Sequence, residues 1–126
     1  MTRKILVADD NEGMRALLEY ELIRRGFMVV LAKDGREAVE KARSEKPDLV
    51  LMDISMPAMD GTEAGELIKR QSGSKNIPVI FLTALISDTD GVKPETKGNS
   101  VVLPKAIKIG ELLKYIESLI ADSKSR

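Results

Sequence analysis

The sequence predicts an α/β domain with one parallel sheet and helices on both faces. Three observations carry this. Five short aliphatic runs alternate with helical segments along 126 residues, two of the runs end in carboxylates, and two intervening segments open with helix-start signals. The runs are Ile5–Ala8, Phe27–Ala32, Leu49–Met52, Val79–Ala84 and Val101–Leu103. Aliphatic runs without alternating polar residues indicate strands covered on both faces, and parallel neighbours need helical, right-handed crossovers.

The elements follow in order. Between the first two runs, Met14, Leu17, Leu18 and Leu22 recur at helical spacing. After the second, Asp34-Gly35-Arg36-Glu37 supplies an N-cap acid with a carboxylate three positions on, Ala38, Val39 and Ala42 form an apolar stripe, and Pro47 ends the segment. Asp60-Gly61-Thr62-Glu63 repeats that start ahead of Ala64, Leu67 and Ile68, with Gly73 as the stop. Met14, Met28 and Met52 read as core filler. The last helix is the clearest, with Ile109, Leu112, Leu113, Ile116, Leu119 and Ile120 on one face. One element is weak: between Ile86 and Val101 the only apolar residue is Val92, and Gly91, Pro94 and Gly98 interrupt the stretch. A proline inside a helix costs about 3 kcal/mol, so a fourth helix here is expected to be short, displaced or absent. The pattern is (βα)5, one domain over residues 1–121, followed by a polar tail, 122–126.

Composition narrows the chemistry. Basic and acidic residues balance at 20 each, so no bulk attraction to nucleic acid or to an anionic membrane is expected. Cysteine and histidine are both absent, which removes disulfides, thiolate sites and histidine general-base catalysis. Any metal must then be held by oxygen, which favours magnesium, calcium or manganese. The Met1–Lys4 stretch runs directly into an apolar run of four residues, too short for a signal peptide or a membrane span, and a cytoplasmic location is the expectation.

The residues placed at the sheet's C-terminal edge are Asp9, Asp10, Asp53, Thr83 and Lys105. That edge is where open α/β sheets bind ligands. Three carboxylates gathered there repel one another unless a cation or a proton intervenes. Singly, each residue has a plainer reading. Asp9 or Asp10 could cap a helix starting near Asn11, Thr83 could be an ordinary β-branched strand residue, and Lys105 a solvated loop charge. Asp53 has no such role, because Ile54-Ser55-Met56-Pro57 is not a helix start.

In order along the chain, Asp9-Asp10, Asp53-Ile54-Ser55-Met56-Pro57-Ala58-Met59-Asp60-Gly61, Thr83-Ala84 and Lys105 resemble the receiver (CheY-like) domain of bacterial two-component response regulators over essentially the full length. The resemblance implies a flavodoxin-like, doubly wound sheet of strand order 2-1-3-4-5, with the acids at the switch point between the first and third strands. It implies that Asp53 is the phosphoacceptor and that Mg²⁺ is held by Asp10, Asp53 and the Ser55 backbone carbonyl, with Asp9 acting directly or through water. Lys105 would pair with Asp53 and then with a phosphoryl oxygen, while the Thr83 hydroxyl and the Ala84 N–H donate to the others. The implied partners are a sensor histidine kinase or phosphotransfer protein and a downstream protein, with no direct nucleic-acid or membrane contact. Such a domain is a phosphoacceptor with at most weak self-phosphorylation and autodephosphorylation, not an enzyme in the usual sense. A stand-alone receiver is the expected form, with a fragment of a larger regulator or hybrid kinase as the alternative. Ser55 and Leu85 border the path of the water that would hydrolyse the acyl phosphate.

Three positions depart from the family pattern. The switch residue three before the lysine, usually aromatic, is Val102; the lysine is followed by Ala106 instead of a cis proline, with Pro104 before it; and the fourth helix is interrupted. These fall on the family's usual output surface, and suggest readout by ordering of Ser87–Ser100. Two other functions compete. A phosphorylation-independent interaction module would leave the acids as a stability cost without a use. An aspartate-nucleophile phosphohydrolase would need a second acid two residues after the nucleophile, where Ser55 stands.

Overall fold

The computed structural model describes residues 3–54, 61–71, 77–84, 95–97 and 100–124. Its elements are β1 (Lys4–Ala8), α1 (Glu12–Arg24), β2 (Met28–Ala32), α2 (Gly35–Glu45), β3 (Leu49–Asp53), α3 (Gly61–Arg70), β4 (Val79–Thr83), β5 (Glu95–Lys97), β6 (Ser100–Pro104) and α4 (Ile109–Lys124). The sheet order is β2-β1-β3-β4-β6-β5. Five strands are parallel and correspond to the five aliphatic runs, in the doubly wound order expected of them. The sixth, β5, adds antiparallel to β6 at the edge, pairing Glu95 with Val102 and Lys97 with Ser100. It lies inside the stretch read as a weak helix. Glu95-Thr96-Lys97 carries no apolar pattern, so the backbone ladder with β6 is what defines it. Residues 85–94, most of that stretch, lie outside the described residues.

Alternation along the strands divides the core into two layers. Ile5, Val7, Leu49, Leu51, Ile80 and Leu82 face α1 and α4, meeting Leu18, Leu22, Leu112, Ile116 and Ile120. Leu6, Val50, Met52 and Val79 face α2 and α3, where Ala38, Ala42, Ala64 and Ile68 cover them. The alanines let α2 and α3 lie close on the sheet. Asn11 caps α1 by accepting from Met14 N–H at 2.8 Å. Asp34 caps α2 by accepting from Glu37 N–H at 2.8 Å, and the Glu37 carboxylate accepts from Lys33 N–H at 2.9 Å. The α2 helix stops at Lys46, which takes a left-handed conformation (φ 48°) just before Pro47.

Several details correct the sequence reading. Leu17 is 55 % exposed: a 3.6-residue period turns Met14, Leu18 and Leu22 inward and leaves Leu17 outside. Met28 is 51 % exposed instead of core filler, because β2 is the edge strand and Met28 begins it. The last helix continues to Lys124, through residues read as tail. In keeping with the absence of a proline after the lysine, the Lys105–Ala106 bond is trans. The Gly73 stop, Asp60 and the Ser87–Ser100 hypothesis, apart from Glu95–Lys97 and Ser100, lie outside the described residues.

Candidate functional site

The first and third strands are neighbours, and the chain leaves them toward opposite faces of the sheet, so a crevice opens at their C-terminal ends. Asp9 follows β1, where its N–H donates to Ala32 C=O at 3.1 Å, and Asp53 ends β3. The two are buried and Asp10 is exposed, with one carboxylate oxygen from each of the three lying within 4.8 Å of the others. Asp9 Oδ1 accepts from Asn11 N–H at 2.8 Å, tying the acid to the start of α1. Asp9 Oδ2 is buried with no hydrogen bond among the described residues.

Lys105 reaches this group from the loop after β6. Its N–H donates to Thr83 C=O at 2.8 Å, which aims the side chain across the crevice. The ammonium lies 3.1 Å from Asp53 Oδ2 and 3.4 Å from Asp9 Oδ2. Partial burial works to lower the Lys105 pKa. The Asp53 hydrogen bond and the charges of Asp9 and Asp53 outweigh that and raise it above the ordinary lysine value. Thr83 is buried at the end of β4, and Ala84 is exposed just beyond. Ser55, Met56, Pro57 and Leu85 lie outside the described residues.

Two contributors were not singled out as site residues from the sequence. Arg15 Nη1 donates to the Asp9 carbonyl at 2.7 Å, a link visible in retrospect only as a cation one turn into α1. Gly61 brings the start of α3 against the end of β3: its N–H donates to Ile54 C=O at 2.8 Å, and a Cβ there would overlap the Asp53 carbonyl oxygen. Only a residue without a side chain allows that approach.

The family model for the response regulator receiver domain matches residues 5–117. The chain belongs to the response regulator receiver domain family. It is 35 % identical over 124 residues to the alkaline phosphatase synthesis transcriptional regulatory protein PhoP of Bacillus subtilis, covering 98 % of this chain and 51 % of PhoP. Against protein PilH of Pseudomonas aeruginosa it is 36 % identical over 118 residues, covering 94 % and 98 %. This receiver domain thus spans about half the length of several of the curated relatives it matches and nearly all of PilH. Among solved structures, it superposes on the receiver domain of the sensor histidine kinase PA1611 of Pseudomonas aeruginosa, which holds a magnesium ion in its active-site cleft. The TM-score is 0.81 at 31 % identity, covering 96 % of this chain and 99 % of that one. The chemotaxis protein CheY4 of Vibrio cholerae gives 0.80 at 28 % identity, covering 94 % and 99 %. No helix among the described residues of this receiver domain is long and apolar enough to cross a membrane.

Proposed function

We propose that this receiver domain is a phosphorylation-controlled signalling module that accepts a phosphoryl group on Asp53. The observation that carries the reading is the convergence of Asp9, Asp10 and Asp53 at the switch point with the Lys105 ammonium on Asp53. A divalent cation fits the donor set. Three carboxylates supply hard oxygen ligands. Among the described residues the buried Asp9 Oδ2 has the Lys105 ammonium at 3.4 Å but no hydrogen bond, which leaves it able to accept from a ligand's water or to bind a cation. Asp10, Asp53 and the Ser55 carbonyl would hold Mg²⁺, with Asp9 behind them. When bound, the ion supplies two positive charges against the negative charge gathered on the phosphoryl oxygens.

The chain's own residues do the rest. An Asp53 carboxylate oxygen forms a bond to phosphorus as the phosphorus–nitrogen bond of a phosphohistidine on the donor protein breaks, and the electron pair leaves with the imidazole nitrogen. Lys105 moves from Asp53 to a phosphoryl oxygen, and the Thr83 hydroxyl and Ala84 N–H donate to the others. Placing a histidine of another protein over Asp53 requires contact around the crevice. Leu17 and Met14 of α1, with Asn11, Gly13, Lys105 and Ala106, line a shallow depression there that suits a donor helix of a sensor kinase or phosphotransfer protein. Cytoplasmic location belongs to the same reading, since the donor chemistry is cytoplasmic in this family.

Intact-protein mass after incubation with acetyl phosphate and Mg²⁺, beside Asp53→Asn, tests this. One added phosphoryl group that requires Mg²⁺ and disappears in the variant is expected. No adduct together with no Mg²⁺ binding would replace this reading with that of a phosphorylation-independent interaction module.

A further inference from the structure

Phe81 stands where the acid site meets the far edge of the sheet. One cross-strand row runs Met52, Phe81, Val102, Glu95, from the residue before Asp53 through β4 and β6 to β5. Phe81 shares its face of β4 with Thr83, two residues on. Its ring is half-buried and lies on α3 at Gly65, where a Cβ would come within 2.6 Å of Cζ and 2.8 Å of Cε1. The α3 helix starts at Gly61, which is clamped to the Asp53 end of β3. The ring therefore touches a helix anchored at Asp53, belongs to the strand that ends in Thr83, and pairs across the ladder with Val102.

Among the described residues, room to move is present on the other side. A half-open cavity of about 330 Å³ lies beside the ring, bordered by Gly65, Lys69, Ser100 and Val102. Benzene fits a cavity of about 150 Å³, so a phenyl ring has space there. An aromatic side chain at position 102 would reach into that space, and valine is too short to do so. Lys69 crosses the floor by donating to Ser100 Oγ, linking α3 to the first residue of β6.

We propose that Phe81 is the coupling aromatic of this chain: its ring has two seats, one on Gly65 and one over Val102, and the state of Asp53 selects between them. The proposal rests on the phosphoacceptor reading. When the Thr83 hydroxyl is drawn to a phosphoryl oxygen on Asp53, the end of β4 shifts relative to α3, and the Gly65 seat is the one that changes shape. A packed ring between two seats is bistable, so a small displacement becomes a discrete change at β6 and β5. The family pattern puts its switch aromatic at the position of Val102; here the aromatic stands on the adjacent strand, in the paired position.

Amide chemical shifts of the full chain, with and without beryllofluoride plus Mg²⁺, test this in wild type, Phe81→Leu, Gly65→Ala and the Gly65→Ala/Phe81→Leu double variant. In wild type, shifts at Val101–Leu103 and Glu95–Lys97 are expected on adding the mimic. Phe81→Leu should lose more than half of those changes and keep the changes at Asp53 and Thr83. Undiminished β6 and β5 changes in Phe81→Leu would overturn the proposal. Gly65→Ala expels the ring from its seat without any mimic, so it should move the β6 amides by itself, and the double variant should abolish that movement. Persistence in the double variant would also overturn the proposal. A wild type that shows no change at Asp53 would refute the phosphoacceptor reading instead, and the Gly65→Ala comparison would still decide the role of Phe81.

Discussion

Gly61→Ala is expected to be among the most damaging single-methyl additions to this chain. The new Cβ would overlap the Asp53 carbonyl oxygen and lie 2.8 Å from both the Asp53 carbonyl carbon and Ile54 Cα. All three are main-chain atoms, so no rotamer change relieves the contact. Carbon atoms prefer about 3.5–4.0 Å, so α3 or the end of β3 must retreat by about 0.7 Å or more. Overpacking of this kind costs about 1–3 kcal/mol. The retreat also weakens the Gly61 N–H bond to Ile54 C=O, worth about 0.5–1.5 kcal/mol. The gain in helix propensity is about 1 kcal/mol at most. A net loss of about 2 kcal/mol follows, and with a urea slope of 1–3 kcal/mol/M the midpoint should fall by about 1 M. Gly110→Ala is the matched control, since a Cβ there meets nothing within 4 Å; it should be neutral or stabilising by up to about 1 kcal/mol. Urea unfolding followed by far-UV circular dichroism measures both. Equal midpoints for the two variants would refute the close approach of α3 to Asp53. Because the clash falls on the Asp53 main chain, Gly61→Ala should also slow phosphorylation of whatever fraction remains folded.

Further outcomes are expected elsewhere. Mg²⁺ at ten times its dissociation constant should stabilise the fold by about 1.4 kcal/mol in thermal melts, and Asp10→Asn should remove most of that increment. Burial lowers the Lys69 pKa, so the unfolded chain holds that proton more tightly; stability should rise with pH through the folded Lys69 pKa up to the ordinary lysine value. Urea midpoints measured as the pH is raised toward the ordinary lysine value should show that slope in wild type and a shallower one in Lys69→Met. Arg3 pairs with both Glu117 carboxylate oxygens, at 2.8 and 2.9 Å, and also lies 5.0 Å from the Phe27 ring centroid. Arg3→Ala should therefore cost more than Glu117→Ala, about 1 kcal/mol against about 0.5, as read by differential unfolding. Equal losses would show that the Phe27 contact contributes nothing.

What was readable in the sequence follows from where constraint is strongest. The parallel strands are covered on both faces and must be aliphatic throughout, so their runs stand out, and the acids that terminate two of them mark the crevice. The capping carboxylates at Asp34 and Glu37 were equally legible, because they answer a local need of α2. Features that depend on tertiary neighbours were not. Nothing in Glu95-Thr96-Lys97 signals a strand, since its partners are β6 main-chain atoms. Leu17 and Leu18 are the same residue type, and only the helix phase decides which is buried. Met28 reads as interior until β2 is known to be an edge. The Arg15 bond to the Asp9 carbonyl and the Phe81 seat on Gly65 join positions whose proximity exists only after folding.

The two rims of the sheet are unequal, and this bears on how the chain would self-associate when stressed. At one rim, β5 is three residues long with Glu95 and Lys97 at its ends, too short and too charged to template a further strand. At the other, β2 presents Met-Val-Val-Leu-Ala, an uncharged five-residue run, with Met28 open to solvent. Arg24 and Arg25 before it, and Lys33 and Asp34 after it, serve as gatekeepers. Runaway strand addition therefore has one open end, and a lysine placed at Met28 would close it.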